Sequence, residues 1–98
     1  MAKFARVTFG EGDPARFDEG VVTLNEMVVS RARQLPGFQH GYWLADRTTG
    51  KVLSVVVFDS EEHLRQTDEV GARLRQEAAG PLGVKFTGVE AYEVVAEA

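Results

Sequence analysis

Apolar and polar residues alternate from Ala2 to Phe9, a stretch rich in Val, Thr and Phe. This predicts a strand, closed by Gly10-Glu11-Gly12. The period then lengthens. Phe17, Val21, Leu24, Val28 and Leu35 follow the three- and four-residue steps of an amphipathic helix. Asp13-Pro14 opens that helix, because Asp caps free N–H groups and Pro is pre-set for the first helical position. Arg31 and Arg33 suit its C-terminal dipole, and Pro36-Gly37 stops it. Phe38 to Ala45 and Val52 to Phe58 read as two strands joined by a short hairpin loop through Asp46 to Lys51. Asp59 or Ser60 caps a second helix whose buried stripe is Leu64, Gly71, Leu74 and Ala78. Glu61 with Arg65, and Glu69 with Arg73, are favourable pairs on its solvated side. Gly80-Pro81 ends it, and Phe86 to Val95 is the fourth strand.

The order β-α-β-β-α-β predicts an α+β, ferredoxin-like antiparallel sheet with both helices on one face, in one domain spanning 1–98. The third strand complicates that picture. Val52, Val56 and Phe58 point one way and Leu53, Val55 and Val57 the other, so both faces are apolar. Two helices cover only one of them, and a half-solvated strand would alternate apolar with polar. The bare face is a patch of a kind monomers rarely expose. A second copy of the sheet covers it economically, which predicts a homodimer of face-to-face sheets with Trp43, Leu53, Val55 and Val57 at the interface.

Composition narrows the function. The net charge is −4 with no block of Lys or Arg, which argues against nucleic acid or an anionic membrane as partner. There is no Cys, so disulfides, thiolate chemistry and Cys-ligated metal are excluded. No signal-peptide core follows Met1, and the apolar run Val55 to Phe58 is too short for a bilayer, so a cytoplasmic protein is expected.

Three segments carry a family resemblance: Arg6-Val7-Thr8-Phe9, Leu35-Pro36-Gly37-Phe38 and Phe58-Asp59-Ser60-Glu61-Glu62. Together they resemble the antibiotic-biosynthesis-monooxygenase family of dimeric α+β barrels. The resemblance runs from Phe4 to Val95 and implies a pocket between sheet and helices. It also implies cofactor-independent oxygenation of phenolic polyketides, or haem degradation in other members. Several positions depart from the pattern. Phe58 stands where the oxygenases carry Trp, Ser54 where they carry Asn, and Leu64 where they carry Tyr. Asp68-Glu69-Val70-Gly71 offers no His where haem-degrading members bind iron. No cofactor or metal is therefore expected.

His40 and His63 are the only histidines, without the spacing of a zinc site. His63 reads as a solvated residue of the first helical turn. Tyr42 and Trp43 are adjacent, so they point to opposite faces. A hairpin loop of four residues, Arg47 to Gly50, pairs Trp43 with Ser54 and turns it toward the helices. A loop of three pairs Leu44 with Ser54 instead and turns His40 and Tyr42 that way. The second register is adopted here, because it lets Phe38 plug the core beneath the first helix. The expected pocket is then Leu24, Val28, His40, Tyr42, Ser54 and Phe58, with His40 and Tyr42 as candidate catalytic groups. Arg6 and Glu90, charged residues within strands, are explained without function by an inward ion pair; the sharper alternative is a pocket-lining Arg6 that binds an anionic ligand. Two functions follow: a cofactor-free monooxygenase acting on a flat aromatic molecule, or a non-catalytic ligand-binding, structural or stress-related dimer of the same fold.

Overall fold

A computed structural model describes residues 2–98. Strand β1 (Phe4–Gly12) leads through a 3-10 turn at Pro14–Arg16 into α1 (Phe17–Thr23), a π-helical stretch at Leu24–Val29 and α2 (Ser30–Ala32). Strands β2 (Phe38–Ala45) and β3 (Lys51–Phe58) form a hairpin, followed by α3 (Glu61–Gln66), α4 (Asp68–Leu82) and β4 (Val84–Glu93). The sheet runs in the order β2-β3-β1-β4, every neighbour antiparallel. This is the expected α+β, ferredoxin-like arrangement, with the helices on one face. No helix is long and apolar enough to cross a membrane.

Local chemistry explains the boundaries. The Asp13 carboxylate accepts the Ala15 N–H at 3.0 Å, and Pro14 takes the first helical position. The Ser60 hydroxyl accepts the His63 N–H at 3.2 Å and caps α3. The second predicted helix is divided at Thr67, whose hydroxyl donates to the Leu64 carbonyl at 2.7 Å and accepts from Arg6 Nη1 at 2.9 Å. Several predicted ends move. β1 continues through Gly10-Glu11-Gly12, because a bulge against β4 after Phe9 lets the pairing resume. α4 passes Gly80-Pro81 and stops at Gly83, whose left-handed φ of 67° suits glycine. β4 accordingly begins at Val84 and ends at Glu93.

The expected register of the hairpin is wrong. Trp43 stands opposite Ser54, Tyr42 opposite Val55 and Leu44 opposite Leu53. The loop is the four-residue one: Asp46 accepts N–H groups from Thr48 and Thr49 at 2.8 and 3.2 Å, and Gly50 closes the turn at φ 83°. Phe38 nevertheless stands opposite Phe58 on the helix-facing side. A bulge between Phe38 and His40 resets the alternation, so Phe38 and Trp43 share a face despite their odd separation.

The tightest packing lies at one end of the sheet–helix space. Phe58, Leu64 and Thr67 are all 0% exposed there. The other sheet face is bare: Tyr42 is 61%, Leu44 49%, Tyr92 51% and Phe9 37% exposed.

Candidate functional site

The helix-facing side encloses a cavity of about 190 Å³. Its roof is the stripe read from the sequence: Phe17, Val21, Leu24 and Val28 from the first helical segment, with Leu74 and Ala78 from α4. A π-helical turn forms part of this roof, a geometry frequent at functional sites. The floor is the sheet, with Val52, Ser54, Val56 and Phe58 from β3.

Across that floor runs one row of hydrogen-bonding side chains. Trp43 on β2 pairs with Ser54 on β3, and Ser54 pairs with Thr8 on β1. All three line the cavity. Among the described residues, neither hydroxyl nor the Trp43 indole N–H makes a hydrogen bond within the chain. The Trp43 ring lies over Gly41, where a Cβ would come within 2.9 Å of it, so the absent side chain leaves the indole its place. The neighbouring row holds Arg6, whose guanidinium makes three hydrogen bonds. It donates to Thr67 Oγ1 and the Leu64 carbonyl, each at 2.9 Å, and to Asp68 Oδ1 at 2.6 Å. It also lies 5.5 Å above the Phe58 ring, a favourable cation–π placement.

The expected site residues separate into two groups. Leu24, Val28, Ser54 and Phe58 line the cavity. His40 and Tyr42 do not: both belong to the bare face, where their rings meet edge to face with centroids 6.0 Å apart. Trp43, expected at the interface, lines the cavity instead. Leu53, Val55 and Val57 alternate to the bare side, Val57 already buried within the subunit. The expected Arg6–Glu90 pair does not form. Arg6 points under the helices to Asp68, whereas Glu90 is exposed and accepts a hydrogen bond from the Tyr92 hydroxyl, which pushes the Tyr92 pKa up. His63 meets Asp59 at 2.5 Å, and this hydrogen bond holds the Asp59 carboxyl below its ordinary pKa. The pair lies under Gly37, away from the cavity. Arg75, absent from the expected pocket, is half-buried and lines the cavity. Its position four residues after Gly71 and three before Ala78, both in the buried stripe, was the available signal.

No family model matches the sequence, and no curated protein matches it. Solved structures do. The monooxygenase ActVA-Orf6 of Streptomyces coelicolor, solved with nanaomycin D, is 23% identical over 99% of this chain and 88% of that chain, with a TM-score of 0.67. A dimeric ferredoxin-like protein from an uncultured marine organism is 15% identical over 100% of both chains, also with a TM-score of 0.67. SnoaB, a cofactor-independent oxygenase from Streptomyces nogalater, is 17% identical over 100% of this chain and 96% of that chain, with a TM-score of 0.60. Several structures similar in fold are thus antibiotic biosynthesis monooxygenases, and others are dimeric ferredoxin-like proteins. At such identities the likeness defines the fold and leaves the chemistry to the site.

Proposed function

We propose that this chain is a homodimer, each subunit binding one small, flat aromatic molecule in its sheet–helix cavity. The observation that carries the reading is the row Trp43, Ser54 and Thr8, three free donors set into the floor beside Val52, Val56 and Phe58. An aromatic body fits between Leu24, Val28 and Phe58, while its oxygen substituents take hydrogen bonds from the row. The bare face, with exposed Tyr42, Leu44, Phe9 and Tyr92, supports the second copy.

Cofactor-free oxygenation is the activity the fold suggests. In such a reaction the substrate anion itself reacts with oxygen, and the protein supplies orientation, desolvation and hydrogen bonds. Phe58, Ser54 and Leu64 depart from the pattern of that activity, and this favours the alternative of a non-catalytic binding dimer. Trp43 weighs the other way. It brings an indole N–H to the cavity from β2, one strand over from Ser54.

Oxygen uptake with an anthrone, together with calorimetric binding, separates the two. Turnover that falls by about 10²–10³ in Trp43→Phe assigns oxygenation and names its donor. Binding without turnover assigns the non-catalytic dimer. No binding of any flat aromatic removes both readings.

A further inference from the structure

Three arginines line the cavity: Arg6, Arg47 and Arg75. Two have carboxylate partners. Arg6 holds Asp68 at 2.6 Å, and Arg47 reaches Asp18 at 2.9 Å from the hairpin loop. Arg75 makes no ion pair or hydrogen bond among the described residues. Asp68, the carboxylate whose charge is felt at Arg75, is committed to Arg6. The Arg75 guanidinium is therefore a half-buried charge beside an apolar space, with a second guanidinium close by. Burial and the neighbouring Arg6 charge both push its pKa down from the ordinary arginine value. An unpaired charge in such a place is costly, and the cost ends when an anion arrives.

Gly71 records how closely the two cations are brought together. It lies on the buried side of α4, where glycine costs about 1 kcal/mol of helix stability relative to alanine. A Cβ there would stand 3.3 Å from Arg6 Nη1 and 3.4 Å from Arg75 Nη1, so both guanidinium groups converge on the space the missing side chain leaves.

Arg75 also faces outward. It lines the surface groove between α4 and β4 together with Gln76, Val84, Lys85 and Phe86, and Val84 and Phe86 line the inner cavity as well. The groove and the cavity therefore meet at Arg75. Arg75 at the junction and Arg6 within are two cations on the inner side, in a chain whose net charge is −4. Lys85 alternates with Val84 and Phe86 and stands opposite Glu11 on the other face of the sheet.

We propose that the cavity takes its ligand as an organic anion, one negative charge on a flat apolar body, with the anionic group held on Arg75 where the cavity meets the groove between α4 and β4. This rests on the binding function proposed above and specifies its ligand. The shared chemistry is a carboxylate or a phenolate held by a guanidinium that has no protein partner.

The test uses a matched pair of probes, 2-naphthoate and the uncharged 2-naphthamide, read by quenching of Trp43, the sole tryptophan. The wild-type protein is expected to bind naphthoate about tenfold or more tightly than naphthamide. Arg75→Gln removes that preference while keeping naphthamide affinity, Arg75→Lys keeps part of it, and exposed Arg73→Gln leaves it unchanged. 2-Naphthol, followed through its own ionisation, distinguishes the two sources: affinity rising as the phenolate forms extends the site from carboxylates to phenolates. Equal binding of naphthoate and naphthamide, or an unchanged preference in Arg75→Gln, overturns the anion site and leaves the aromatic-binding function standing. Quenching by neither probe overturns both.

Discussion

The two faces of the sheet are built from the same kind of residue and end in opposite situations. On the helix-facing side, Phe58 is fully buried against Leu64 and Thr67 at one end, while farther along the helices stand off and leave a cavity over Trp43, Ser54 and Thr8. On the other side Tyr42, Leu44, Phe9 and Tyr92 are open to water, with no helix above them. The difference lies in shape. A concave apolar space with a few free donors fits a small molecule, whereas a broad apolar sheet surface fits another sheet. Apolar character alone, which both faces share, distinguishes neither.

The strongest way to break this comparison is a charge on the bare face. Val55→Asp places an unpaired carboxylate where the second sheet is expected, and it should split or unfold the dimer in sedimentation at micromolar concentration. An intact dimer would refute that use of the face. The wild-type interface is expected to bury ~1,200–2,000 Å² or more. The next largest effect contrasts the two ends of the helix-facing side. Phe58→Ala removes a fully buried ring and should cost about 3–5 kcal/mol in denaturant unfolding. Leu24→Ala, beside existing empty space, should cost roughly 1–2 kcal/mol. Equal losses would mean that the cavity end is as tightly packed as the other.

A smaller effect is expected from Trp43→Phe. Losing one indole N–H should weaken a bound phenol by up to about tenfold, with stability changed by less than about 1 kcal/mol. Calorimetry measures this, since the variant loses the fluorescent reporter. The smallest effect lies outside both faces. The His63 hydrogen bond lowers the Asp59 pKa below its ordinary 3.8, so its contribution is present above that pH and fades as pH falls through the lower folded value. Asp59→Asn should flatten the acid limb of the stability–pH curve there. A limb as steep as wild type would show that the pair contributes nothing.

Fold and site differ in how far the sequence discloses them. Periodicity was enough for the element order, because Phe17, Val21, Leu24 and Val28 obey one helical stripe and β3 is a short β-branched apolar run bounded by turn residues. Which face of β2 carries Trp43 was not legible by the same rule. A single bulge at Gln39 changes the count, and strict alternation cannot put Phe38 and Trp43 on the same side. His40 and Tyr42 were misplaced for that reason, and the free donor row went unseen. The Arg6–Glu90 pairing failed on similar grounds. Their places within strands gave no hint that Arg6 would be held by Thr67 and Asp68 from the helices. Arg75 was hidden because its partner is expected to be a ligand, which leaves no complementary residue to find.

Native mass spectrometry of the 10.8 kDa chain with excess 2-naphthoate tests both faces at once. The predicted species is a dimer carrying two ligands, one in each sheet–helix cavity. A monomer carrying one ligand would contradict the use proposed for the bare face. A dimer with a single ligand would put the molecule between the sheets and contradict the assignment of the cavity.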